Sequence, residues 1–133
     1  MDEVKSALLG GLGVCGEPIQ DPEGRAELSF LVADHHCHSV AQGGYVTAWI
    51  DAAMAHAVHA ATNHELGCNT LEIKIAFYRP ALAGQRVTAM GWVERLGKSI
   101  CFVEGELRDE SGNVLAKGTS TARLMPFKTA DSG

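Results

Sequence analysis

GGYVTAWIDAAMAHAVHAAT, residues 43–62, is the stretch on which the fold turns. After the Gly43-Gly44 pair, Tyr45 to Thr62 holds no Gly or Pro and seven alanines, the residue that favours helix most. Its apolar residues cover almost the whole helical circumference instead of one stripe, and a helix apolar all round has to be buried. These 18 residues span about 27 Å at 1.5 Å each. That approaches the width of a globule with a radius of gyration near ~14 Å. The expectation is a helix running through the middle of the molecule, with small Ala side chains admitting close neighbours.

The chain on either side has strand character. Downstream, Leu71, Ile73, Ile75 and Phe77 alternate with Glu72, Lys74 and Ala76 until Arg79-Pro80 ends the run. Val87 to Arg95 alternates more weakly before the tight turn Leu96-Gly97-Lys98. Ile100 to Leu107 and Val114 to Leu124 flank Asp109 to Asn113, a hairpin loop by composition. Upstream, Leu28, Phe30 and Val32 alternate with less apolar neighbours and make a fifth strand. Val4 to Leu12 reads as a short amphipathic helix, Glu17 to Gly24 as a turn-rich loop, and Asp34 to Ser39, which has no period, as another loop. One antiparallel sheet curled around a central helix is the simplest layering that buries that helix. The expected fold class is therefore α+β. A single domain spans 1–133, with an N-terminal helix and loop over 1–16 and a frayed tail over 126–133.

Composition narrows the function. The chain has 133 residues, 46% apolar and 20% charged, in the range of an ordinary globular domain. Its formal charge of −5, from 11 Lys+Arg against 16 Asp+Glu, argues against nucleic acid as a partner. Cys15, Cys37, Cys68 and Cys101 lack Cys-x-x-Cys spacing and suit reduced structural thiols in the cytoplasm. Two acids within Met1 to Lys5 speak against a signal peptide. No uncharged apolar run reaches the ~20 residues of a membrane span, so a membrane partner is not expected.

Asp51 sits mid-helix between Ile50 and Ala52. A carboxylate on a buried helix is costly unless it is paired, hydrogen-bonded or used. It is either an acid/base or nucleophilic group, or a structural Asp satisfied by Thr47 one turn earlier or by a backbone group across the sheet. Gly43-Gly44 opens the helix with free N–H groups at the positive end of the dipole. That suits a developing oxyanion on an attacked thioester carbonyl, although the pair also serves as plain turn chemistry. Asp51 lies seven residues beyond Gly44, roughly 10 Å along the axis. Both groups would have to come within about 3 Å of one carbonyl and its water. One helix cannot do that, whereas two copies packed antiparallel across a two-fold axis can. If both features are catalytic, the protein is at least a homodimer.

No metal site is expected. His35, His36 and His38 before the helix, and His56, His59 and His64 on or after it, lack an established zinc spacing and read as polar loop and helix-end residues. No phosphate loop, dinucleotide fingerprint or serine elbow occurs. Arg95, Lys98 and Arg123 sit on or beside strand ends, either as anion-binding groups or as isolated surface cations.

Gln42-Gly43-Gly44 followed by Asp51, Thr70 to Pro80 ending in Phe77-Tyr78-Arg79-Pro80, Ala83-Gly84, Arg95-Leu96-Gly97-Lys98-Ser99 and Ala116-Lys117-Gly118 occur in that order. From about Ala26 to Met125 the chain resembles the hotdog-fold thioesterases, in particular the phenylacetate-pathway (PaaI-like) branch of acyl-CoA hydrolases. The resemblance implies a hotdog fold, a five- to six-stranded antiparallel sheet wrapped around a long central helix. It implies hydrolysis of a small or medium acyl- or aryl-CoA to carboxylic acid and free CoA, without metal or redox cofactor. The site would lie at the interface of a homodimer, itself part of a dimer of dimers. Carried over, Asp51 attacks the thioester or activates water, the partner chain's Gly43 amide polarises the carbonyl, and Thr70 orients the water. Gly44, Tyr78, Arg79, Pro80, Arg95, Gly97, Lys98, Ser99 and Arg123 fall along the CoA groove. Two positions depart from the family. Gln42 stands where His is common, and His36 stands where the family has Asn; both residue types can still contact a water or carbonyl. His36 also keeps open an enoyl-CoA hydratase or dehydratase, and a non-catalytic acyl-CoA-binding protein is the other alternative. Tyr45, Trp49 and Met54 either line an acyl pocket or pack the core.

Overall fold

The computed structural model describes residues 3–126. In chain order it comprises α1 (Glu3–Gly11), β1 (Val14–Asp21), β2 (Arg25–Leu31), a 3-10 turn (Asp34–His36), α2 (Gly43–Ala61), β3 (Leu66–Phe77), β4 (Arg86–Leu96), β5 (Ile100–Arg108) and β6 (Val114–Pro126). The six strands form one sheet in the order β1-β2-β4-β5-β6-β3, every pair antiparallel. α2 lies across its concave face. Among the described residues no helix is long and apolar enough to cross a membrane. The tail expected beyond Pro126 lies outside the described residues.

The sheet-facing side of α2 carries Val46, Trp49, Ile50, Ala53, Met54, Ala57 and Val58, spaced by three and four and all buried. They meet Ala26, Leu28 and Phe30 of β2, Val87 and Ala89 of β4, Val103 and Leu107 of β5, and Ala122 of β6. Each large apolar side chain removed from water contributes roughly 1.5–3 kcal/mol. Trp49 and Met54 are core residues, not the acyl-pocket walls they were candidates for. The helix is not buried all round, as its composition suggested. Thr47, Ala48, Asp51, Ala52, Ala55 and His56 are half-buried on the far side. Alanine is apolar enough to fill that face in the pattern and too small to need full cover.

α2 comes unusually close to the sheet because glycines stand beneath it. Gly91 pairs with Gly105, and Gly105 with Gly118, across three neighbouring strands. A Cβ on Gly91 would sit 2.6 Å from backbone atoms of Ala53 and Met54, and one on Gly105 would sit 2.9 Å from Ile50 Cγ2.

Two strands depart from their expected reading. β1 falls on residues expected to be largely loop. It is an edge strand whose pairing slips between Cys15 and Ile19, where Gly16 has φ +72° and Pro18 has no N–H to give. An edge position tolerates both. In β3 the register with β6 shifts between Thr70 and Glu72, leaving Leu71 as a bulge residue that is 56% exposed. Leu71 therefore does not continue the row of Ile73 and Ile75. The extra residue changes the parity of the strand, which brings Thr70 as well as Ile73 to the α2 face.

Candidate active site

Asp51 and Thr70 come together on the open side of α2. Thr70 Oγ1 donates to Asp51 Oδ1 at 2.8 Å, an approach that the bulge at Leu71 makes possible. Asp51 Oδ2 has no protein donor among the described residues. Thr47, the alternative partner expected one turn earlier, instead donates to the Gly43 carbonyl at 2.8 Å. Cys68 stands on the same strand. Burial first, then the nearby Cys101 and Asp51, push its thiol up to about 12, and burial also raises Cys101. A thiol held protonated is a poor nucleophile at neutral pH, so Cys68 reads as a packing residue beside Asp51.

The second cluster is the N-terminus of α2. Gln42 is its N-cap, and Gln42 Oε1 accepts from Gly44 N–H at 2.7 Å. The N–H groups of Tyr45 and Val46 both donate to the Gln42 carbonyl. Of the four first-turn amides, Gly43 N–H alone has no protein acceptor among the described residues. Helix termini leave such donors unsatisfied; here capping reduces them to one. Gly44 is thus engaged in the cap rather than free for ligand, and Gln42 acts on the helix through Oε1. Beside Gly43 opens a cavity of about 370 Å³ lined by Val40, Val46, Phe77, Tyr78, Arg79 and Pro80, among others. A Cβ on Gly43 would lie 3.2 Å from Phe77 Cζ. Phe77 belongs to this site although its alternation with Glu72, Lys74 and Ala76 made it look only like a strand residue. The signal was an aromatic at the end of a strand that a glycine, lacking a side chain, allows close.

His36 is placed otherwise than a substrate contact. It is fully buried; its Nδ1 accepts from Ala33 N–H at 2.9 Å and its Nε2 faces the Gly11 carbonyl at 2.8 Å. One nitrogen accepting and the other donating describe a neutral ring with both positions committed to backbone. Its ring packs on those of His35, Tyr45 and Trp49. Trp49 Nε1 donates to the Leu12 carbonyl at 2.8 Å, so His36 and Trp49 together fasten the end of α1. The His36 carbonyl in turn accepts from Gln42 N–H at 2.8 Å, which ties this anchor to the helix cap. Among the described residues no group of three or more His, Cys, Asp and Glu is arranged to hold a metal ion.

The residues expected along one CoA groove fall into two groups. Tyr78, Arg79 and Pro80 are exposed beside the Gly43 cavity. Arg123 pairs with Asn69 on one side and Ile100 on the other, next to the Arg95–Ser99 turn, where Ser99 accepts from Leu124 N–H and Gly97 N–H donates to the Ile100 carbonyl. Phe77 faces Ala116 and Asn69 faces Arg123, so the two groups are about 23 Å apart along β6 at 3.3 Å per residue. Within one protomer they do not meet.

Residues 38–116 match the model of the thioesterase superfamily. No protein of curated function matches the chain. Solved structures do. A phenylacetic acid degradation-related protein of Ralstonia eutropha JMP134 is 30% identical with a TM-score of 0.78, over 88% of this chain and 89% of that one. The E. coli PaaI protein from the phenylacetic acid degradation operon is 23% identical with a TM-score of 0.80, over 90% of this chain and 84% of its own. The smu.793 protein of Streptococcus mutans UA159, solved bound to acetyl CoA, is 16% identical with a TM-score of 0.74, over 85% and 90%. These likenesses show the hotdog fold.

Proposed function

The chain belongs to the thioesterase superfamily, and from that premise we propose that it hydrolyses an acyl-CoA of small or medium acyl or aryl group at a site shared by two copies. One observation carries the reading. On the unpaired edge strand β3, Thr70 with Asp51 marks one position. Phe77 with Gly43 marks another, seven residues on. Antiparallel pairing of two β3 edges about a two-fold axis would set the Asp51 of one copy opposite the Gly43 of the other. The same pairing would carry the Arg123 end of one protomer toward the Arg79 end of its partner, reuniting the cations that one protomer holds apart. Smu.793, a structural relative, holds acetyl CoA.

In this reading Thr70 occupies Oδ1 of Asp51 and leaves Oδ2 for a water. Asp51 takes a proton from that water as its oxygen bonds to the thioester carbon, and the partner's Gly43 N–H meets the oxyanion that forms. Collapse of the intermediate breaks the C–S bond, and the proton passes from Asp51 to the departing CoA thiolate. The chemistry draws on no metal or redox cofactor. A hydratase reading would need His36 as a base, and both of its nitrogens are committed to backbone.

Subunit complementation tests the composite site. Asp51→Asn keeps shape and removes the base, so thiol release should fall by ~100-fold or more. Gly43→Pro removes the N–H at the first helical position, where proline is tolerated. Refolding the two variants together makes mixed dimers with one intact site, restoring about a quarter of wild-type turnover. No recovery above the separate variants would overturn the shared site, and undiminished thiol release by Asp51→Asn would overturn the hydrolase assignment.

A further inference from the structure

We propose that Phe77 is a positioning residue of this site: its ring closes the apolar wall beside the Gly43 amide and keeps water away while a thioester carbonyl is seated there. The inference rests on the hydrolase reading above. Three observations meet at this point. The capping pattern of α2 leaves one first-turn donor, Gly43 N–H, without a protein acceptor. The Phe77 ring lies against Gly43, with Cζ 3.2 Å and Cε1 3.5 Å from where a Cβ would stand. Phe77 is nevertheless 56% exposed, so the core does not account for it.

The physical need is clear. A lone amide in open water is hydrated, and its attraction for a developing negative charge is screened. In a water-excluded site the same donor stabilises an oxyanion far more strongly. The cavity is suited to that purpose, since Val40, Val46, Pro80 and Ala81 join Phe77 in its wall and Arg79 is the one charged lining residue among the described residues. Gly43 thereby serves twice, supplying the donor and admitting the ring that shelters it.

The test compares covers of different polarity and similar reach. Phe77→Leu keeps an apolar cover, whereas Phe77→Gln replaces it with one that binds water. With an acyl-CoA that the wild type turns over, kcat in Phe77→Leu should stay within about twofold, and kcat in Phe77→Gln should fall about 10-fold with a smaller change in KM. Both variants should sediment as wild type, a check required because Phe77 lies on the β3 edge proposed to join two copies; a kcat loss that comes with loss of the dimer would overturn the positioning role. Equal kcat losses in the two variants, or unchanged kcat in Phe77→Gln, would overturn the role of Phe77 while leaving hydrolysis standing. A wild type that releases no thiol from any acyl-CoA would overturn the hydrolase reading and this inference with it.

Discussion

His36 shows how far a residue's type can mislead about its work. From the residues alone His36 read as a polar loop histidine, and the resemblance placed it where the family has an amide side chain, which kept a hydratase role open. The structure commits Nδ1 to Ala33 N–H and Nε2 to the Gly11 carbonyl. Nothing in HHCH announces this, because the two partners are backbone groups, one of them 25 residues away. His36→Ala would open a cavity where a fully buried ring stood and leave the Ala33 N–H without its acceptor, while the Gly11 carbonyl keeps His35 Nε2 at 3.0 Å; the change should cost about 2–4 kcal/mol in urea unfolding. A loss under about 1 kcal/mol would contradict the anchor. Asp51 drew notice for the opposite reason, although the structure leaves it half-buried rather than enclosed. A carboxylate on an alanine-rich helix is costly in a way that composition exposes, whereas its partner Thr70 required the fold.

At the level of elements, α2 and the strands β3 to β6 could be read directly, but the four-strand meander they suggested holds only for β4-β5-β6, since β3 pairs with β6 and not with β4. Lack of Gly and Pro, an alanine-rich run and period-two alternation are local signals. Bulges are not. Strict alternation through β3 would set Thr70 on the face of Glu72 and Lys74, and only the slip at Leu71 reconciles Thr70 with Ile73. β1 was missed because Gly16 and Pro18 look like loop punctuation and an edge strand accepts them. The β5–β6 loop was legible in composition and supplies a pH test. Asp109 accepts from Ser111 N–H, Asn113 N–H and Asn113 Nδ2, and the Asn113 side chain foremost holds its carboxyl below the usual 3.8. A depressed carboxyl lends stability that is fully present above 3.8 and is lost as pH falls through the lower folded value. Amide exchange at Ser111 and Asn113 should therefore accelerate beyond its intrinsic trend as pH falls below about 3.8, and Asn113→Ala should shift the onset upward. Exchange that tracks the intrinsic trend would contradict it.

For the whole molecule, the 12-residue β3 presents an unpaired edge with Leu71 standing out from it. Exposed strand edges this long invite pairing with another chain. In the proposed assembly, Leu71→Lys should shift sedimentation from dimer toward protomer and lower thiol release in proportion, since each site needs both copies. A variant that sediments as a protomer and keeps full turnover would rule out the pairing. The spacing of Gly44 and Asp51 is what suggested the proposed pairing of two copies. Which edge is open for that proposed pairing could not be read, because sheet order is a long-range property.

Gly91 set against the backbone of Ala53, and Gly105 against Ile50, shut the middle of the joint between α2 and the sheet to a hydrocarbon tail. On the hydrolase reading, the tail of a bound thioester would stay outside that middle stretch of the protomer. In the proposed assembly, chain-length selectivity then becomes a property of the joint between copies. A shift in how two subunits meet would retune the cargo accepted with every inward-facing side chain left as it is.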